Sequence, residues 1–142
     1  MEKILDIERP TQKIYTDKSI AIGTFLGGPL VAGFLIAENY RSFSEPDKAR
    51  KTLIFTALAS LIIFIGLFYF DHVLPDNNFL FPILFSGTSW LLVRHLQRSR
   101  IEDHMAAFGP VYQWWRALIV GAFGAAVTLI LAGFLTFFVM MW

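Results

Sequence analysis

Cysteine is absent from these 142 residues, which excludes disulfides and thiolate metal sites. Charge is scarce as well. Asp, Glu, Lys and Arg make up 16% of the chain and the net charge is +1, so there is no basic footprint for nucleic acid. No Asp, Glu, Lys, Arg or His occurs between Leu53 and Phe70, between Phe79 and Val93, or between Ala117 and Trp142. Proton relays and ion pathways usually need such groups inside a membrane, which counts against a proton-coupled transporter or pump. A nucleophile elbow, a phosphate loop, a zinc motif and a dinucleotide fingerprint are all missing. No catalytic residue, no cofactor and no metal ligand is therefore assigned, and the expectation is a protein of non-enzymatic type. His95 and His104 lack the close helical spacing of paired ligands, and His72 lies in a different connector. Solvated or interfacial positions are expected for all three. Glu102, Asp103 and His104 read as a helix surface, with Arg98 and Glu102 spaced to pair at i,i+4.

What the chain has in quantity is apolar surface: 56% hydrophobic residues and 15 Phe. A soluble domain of this size has too much surface relative to volume to hide that content, so the surplus must face lipid. The expected fold is an all-α integral membrane protein in one domain, residues 1–142. The lipid bilayer is its first partner.

Four apolar stretches stand out: Ile20–Ala37, Leu53–Phe70, Phe79–Val93 and Ala117–Trp142. A span needs about 20 apolar residues. Three transmembrane helices are expected, over 45–70, 79–107 and 114–142. The first of these opens at Ser44-Glu45-Pro46-Asp47, where Ser44 is expected as an N-cap bonding the Asp47 amide and Pro46 suits a first turn. The next continues past Val93 as a helix leaving the membrane, with Val93, Leu96, Ile101, Met105 and Phe108 recurring at helical spacing. Gly109-Pro110 stops it. Tyr112, Trp114 and Trp115 then suit a headgroup zone.

The stretch 20–37 differs from the others. Gly27-Gly28-Pro29 sits at its midpoint, and neither half is long enough to cross a bilayer alone. Residues 1–18 precede it as a tail with no cleavable signal pattern. Ile4, Leu5, Ile7, Ile14 and Tyr15 offer docking side chains, although a partly ordered tail is the simpler expectation.

Charge decides between a hairpin and a kinked span. Lys3, Arg9, Lys13 and Lys18 lie in the tail; Arg41, Lys48, Arg50 and Lys51 in the first connector; Arg94, Arg98, Arg100 and Arg116 in the third. Together these are all 12 basic residues, and the connector 71–78 has none. If 20–37 dips in and returns, all of them share the cytoplasmic side, as the positive-inside rule favours. A re-entrant hairpin is therefore expected, with a cytoplasmic N-terminus and an extracytoplasmic C-terminus. A kinked fourth span is the alternative. The broken backbone of Gly27, Gly28 and Pro29 must then be covered by protein or face a wet cavity, since lipid offers no hydrogen bonds, and the spans are expected to cradle it.

Two further groups are singled out. Ser86, Thr88 and Ser89 form a small polar run, read chiefly as helix packing and otherwise as a pocket lining near the turn. Gly121, Ala125, Thr128 and Ala132 share one face of the last helix as a small-residue seam for close helix approach. Thr24, Ser60 and Thr136 are lone hydroxyls.

The stretch TFLGGPLVAGFLIAENYRSF, followed by EPDKARKTL, resembles a segment recurrent in small uncharacterised bacterial inner-membrane proteins. There a G-G-P-L core leads through an apolar run to an N-Y pair and a basic stretch. The resemblance covers about Tyr15 to Leu53. It implies a bacterial inner-membrane location and carries no activity or site. The expected role is a membrane interaction or accessory module with a membrane-protein partner or a second copy. A channel or transport component using the Gly-Gly-Pro segment is the alternative.

Overall fold

The protein is described here from a computed structural model covering residues 9–70, 73 and 79–142. Ile4, Leu5, Ile7, His72 and most of the connector 71–78 lie outside the described residues. Among those described, five helices account for nearly all of the structure: α1 Asp17–Gly27, α2 Pro29–Ser42, α3 Pro46–Phe70, α4 Leu80–Ala106 and α5 Trp114–Met140.

Helix α1 starts because Thr16, in extended backbone, accepts a hydrogen bond from the Ser19 amide, and Asp17 places negative charge in the first turn. It ends at Gly28, whose φ of 76° and ψ of −169° lie in a region open essentially to glycine alone. Pro29 then occupies the first position of α2, where its missing amide costs nothing. The result is a helical hairpin. The Tyr15 amide donates to Asn39 Oδ1 at 2.7 Å, and Ser42 Oγ donates to the Lys13 carbonyl at 2.8 Å. The entry to α1 and the exit of α2 therefore lie side by side. A merely kinked continuous helix would hold Tyr15 and Asn39 about 36 Å apart.

The hairpin is the hub of the molecule. α3 packs on α2, α4 and α5 pack chiefly on α1, and the three long helices do not closely approach one another. The core accordingly lies on the hairpin and on the segment that leads into it: Ile14, Ile20, Leu35, Ile36 and Ala37 are almost completely buried. The leading segment docks through Ile14 and Tyr15 rather than trailing as a tail. Ile14 forms a parallel bridge with Val111, so α1 and α5 enter the structure in parallel.

Two helices, α3 and α5, are long and apolar enough to cross a membrane, with mean hydropathies of 2.5 and 2.4 over their most apolar windows. That is one fewer than the three expected from sequence. α4 falls short because Ser86-Gly87-Thr88-Ser89 interrupts its apolar run and Arg94 ends it. The uncharged part, Leu80 to Val93, is only about 21 Å of helix. The outward faces of α3 and α5 are apolar and bare: Phe55, Ile62, Phe123 and Leu129 are each at least 69% exposed. Such surface is stable only against an apolar medium.

Three local expectations are corrected. Ser44 does not cap α3. It sits at φ 61° as the left-handed residue that closes α2, its amide donating to the Arg41 carbonyl while the Glu45 amide donates to the Tyr40 carbonyl. Phe108, at φ 54°, closes α4 in the same way, one residue before the expected Gly109. The inward face of α4 is Ser89, Val93, Gln97, Ile101 and His104, whereas Leu96, Met105 and Phe108 are exposed. Gln97 and His104 turn inward where they meet the Ile36 and Pro110 carbonyls, and Gln97 also meets the Asn39 side chain.

Candidate functional site: the hairpin and the slot it floors

Glycine at the turn lets the hairpin meet its neighbours closely. Gly23 and Gly27 are four residues apart on α1 and face Ala117 and Gly121 on α5. A Cβ on Gly27 would stand 2.6 Å from the Gly121 carbonyl oxygen, and one on Gly121 would stand 2.7 Å from the Gly23 carbonyl oxygen. The two backbones are in contact, as in small-xxx-small helix pairs. The expected seam is only partly used. Gly121 is buried and Ala125 and Thr128 are half-buried, but Ala132 is exposed. Gly124, off that seam, instead receives Val31 of α2. The four-residue spacing of Gly23 and Gly27 was the available signal for this interface.

Ser86 ties α4 to the hairpin, its Oγ donating to the Ala21 carbonyl at 2.8 Å. Ser89 Oγ donates to the Ser86 carbonyl one turn back. Thr88 faces the space between α3 and α4 instead. The polar run therefore divides between packing and lining.

At the cytoplasm-facing end expected from charge, a buried polar clasp locks the hairpin shut. Asn39 Nδ2 donates to the Tyr15 carbonyl at 2.8 Å and to Gln97 Oε1 at 3.1 Å, and Gln97 Nε2 donates to the Ile36 carbonyl. Asn39 and Gln97 are 0% and 1% exposed. Their amide groups are matched donor to acceptor, the condition under which buried polar groups stabilise rather than destabilise. Tyr15 stacks against Tyr112 at 4.4 Å, and burial pushes its phenol above the usual range, with Arg116 opposing. His104, expected at a solvated or interfacial position, is buried: its Nε2 hydrogen-bonds the Pro110 carbonyl at 2.9 Å and its ring lies on Gly109. It is a structural latch for the 107–113 turn. Among the described residues no cluster of His, Asp and Glu suits a metal.

A second polar level lies at the start of α1. Trp90 Nε1 donates to Asp17 Oδ2 at 3.1 Å, and the Arg94 guanidinium stacks over the Trp90 ring at 4.7 Å. Farther out, Glu45 joins α3 to α4 by accepting from Lys48 at 2.9 Å and Arg100 at 2.7 Å. The Lys48 hydrogen bond, reinforced by Arg100, holds its carboxyl below the usual 4.5.

Because α3 and α4 both lean on the hairpin without meeting, a slot of about 420 Å³ opens between them. Pro29, Ala32, Gly33 and Ile36 form its floor. Phe55, Thr56, Ala59 and Ile63 form one wall, and Phe85, Thr88, Ser89 and Leu92 the other. Lys51 stands at its mouth. A separate hollow of about 450 Å³ separates the far halves of α3 and α5, between Phe64, Phe68, Leu135 and Val139. Of the hydroxyls Thr24, Ser60, Ser86, Thr88, Ser89 and Thr128, only Thr88 and Ser89 border the slot, and Thr24 bonds the Ile20 carbonyl within α1. They do not line a common polar passage. Ser60 is buried in α3 without a hydrogen-bond partner among the described residues. Of the expected site residues, the structure thus gathers Pro29, Thr88 and Ser89 at the slot, and Gly27 with Gly121 at the α1–α5 contact.

Compared with known proteins, the chain matches no family model, no curated protein and no solved structure.

Proposed function

We propose that this chain is a multi-pass protein of the bacterial inner membrane that works as a non-enzymatic interaction module. α3, α4 and α5 each cross the bilayer, and α1 and α2 form a re-entrant hairpin entering from the cytoplasmic side. The observation that carries the reading is the arrangement of the long helices: they meet the hairpin and not each other. Depth supports it. From Asp17 to Gly27 α1 is 11 residues, about 16 Å, which is half of a hydrocarbon core of about 30 Å. The hairpin fills the cytoplasmic half of the bundle and leaves the far halves of α3 and α5 apart, across the hollow at Phe64 and Leu135. Bilayer and partner helix are both apolar enough to fill that hollow, and the open, mutually facing walls favour a partner segment. The distribution of all 12 basic residues on one side, and the resemblance around the Gly-Gly-Pro turn, support the orientation and the bacterial setting.

The test is photo-crosslinking in intact membranes, with a benzophenone side chain in place of Phe64 or Leu135 and, as a lipid-facing control, in place of Phe123. The reading expects a discrete polypeptide adduct, either a second copy or another membrane protein, from Phe64 and Leu135 but not from Phe123. Lipid adducts alone from all three positions would end it.

A further inference from the structure

The slot between α3 and α4 has a shape and polarity that the interaction reading does not use. It runs along α3 from Lys51 to Ile63, about 18 Å of helix, close to one leaflet of a hydrocarbon core about 30 Å thick. Its floor is the returning arm of the hairpin, and its inner end is Pro29 at the turn. The walls are aliphatic and aromatic, softened only by Thr56, Thr88 and Ser89. A cavity of about 420 Å³ is within the range of small-ligand sites. At the other end Lys51 is exposed and takes part in none of the ion pairs formed among the described residues, while its neighbours Lys48 and Arg100 are both held by Glu45. A long apolar slot, about one leaflet deep and reaching Pro29 at its inner end, with a cation at its mouth that no acidic group among the described residues pairs, is complementary to one class of molecule.

We infer that the slot binds one acyl chain of an anionic phospholipid from the cytoplasmic leaflet, with its phosphate against Lys51. This rests on the membrane reading above. The chain lies along α2 between α3 and α4, and its end meets Pro29. Below the Glu45 bridge, the bound lipid supplies the apolar contact that α3 and α4 do not make with each other, so it acts as a structural wedge between them. Selectivity for an anionic headgroup comes from Lys51, because the slot itself distinguishes only chain from water.

The experiment uses the full chain in phosphatidylcholine vesicles containing a minor fraction of phosphatidylglycerol that carries a photoreactive diazirine on one acyl chain. After carbonate washing and flotation, adducts are mapped by peptide mass spectrometry. Expected is labelling concentrated on slot residues such as Ala32, Ala59 and Leu92. Lys51→Ala should lower it about fivefold, and Arg50→Ala, next door but away from the slot, should leave it unchanged. Ala59→Trp, or Thr88→Trp from the opposite wall, should block it, with circular dichroism confirming that each variant keeps its helices. Labelling spread evenly over the outer faces of α3 and α5 would overturn the proposal, as would equal effects of Lys51→Ala and Arg50→Ala. So would a disulfide between copies formed by Ala59→Cys, which would put a second chain in the slot. If the protein washes off the vesicles, the membrane reading itself has failed and takes this proposal with it. A protein that floats but labels evenly defeats the lipid site alone.

Discussion

Gly28 occupies a backbone conformation with space around it: nothing lies within 4 Å of where its Cβ would be. Sterics with neighbours therefore do not demand glycine, and its φ of 76° and ψ of −169° do. This separates two effects that usually coincide. Gly28→Ala should cost about 1–3 kcal/mol through backbone strain alone. Gly66→Ala, inside α3 about one turn from its end and equally uncrowded, should be neutral or stabilise by up to about 1 kcal/mol through helix propensity. Thermal denaturation of both variants in mild detergent checks this, and equal melting temperatures would remove Gly28 as the determinant of the turn. This turn was legible in the sequence because Gly and Pro carry their conformational demands with them. Ser44 was not, since serine suits both a helix start and a helix end, and only the hydrogen bonds of Ser44 and Glu45 back to Arg41 and Tyr40 decide between them. Asn39 and Gln97 were less legible still. Each is one amide in a long chain, and their partners stand 24 and 58 positions away.

At the level of elements, periodicity and charge located the helices well, to within a few residues at each end. They located the inward face of α4 only in part: Val93 and Ile101 are buried on it. The periodic apolar residues Leu96, Met105 and Phe108 look outward, and Gln97 and His104 look inward because they meet the Tyr15–Asn39 clasp and the Pro110 carbonyl. Apolar periodicity loses its meaning where the buried face of an element carries polar groups bonded to its neighbours. The Glu45 bridge is the matching ionic contact between α3 and α4. Its carboxyl titrates below its ordinary 4.5 in the folded protein. Its contribution is then fully present above the unfolded value and disappears as pH falls through the lower folded value. Stability of the wild type should therefore drop more steeply than that of Glu45→Gln as pH is lowered through and below 4.5, and the two should differ by a constant amount at neutral pH. Melting curves across that range provide the measurement. Parallel pH profiles would mean that Lys48 and Arg100 do not engage Glu45 in solution. Arg98 and Glu102 pair at i,i+4 as their spacing predicts, on a surface where such pairs contribute little.

For the whole molecule, the central claim is that the Gly-Gly-Pro segment enters the membrane and returns, so that three crossings follow it. In the sequence, the turn residues gave the hairpin, and the lack of Lys and Arg in the connector 71–78 and after Arg116 gave the proposed orientation. What it did not carry is that α3, α4 and α5 would pack on the hairpin rather than on one another, apart from the Glu45 bridge, since that depends on glycine contacts between α1 and α5 and on the slot left beside α2. The absence of native cysteine makes the claim directly measurable. Single cysteines at Gln12, Asp47 and Trp142, all exposed, are treated in intact cells with a membrane-impermeant thiol reagent and again after permeabilisation. The account predicts that Gln12 and Asp47 are both protected until the membrane is opened, while Trp142 labels from outside. Labelling of Gln12 from outside with Asp47 protected would contradict it, because the segment between them would then be a complete span and the hairpin would not exist in the membrane.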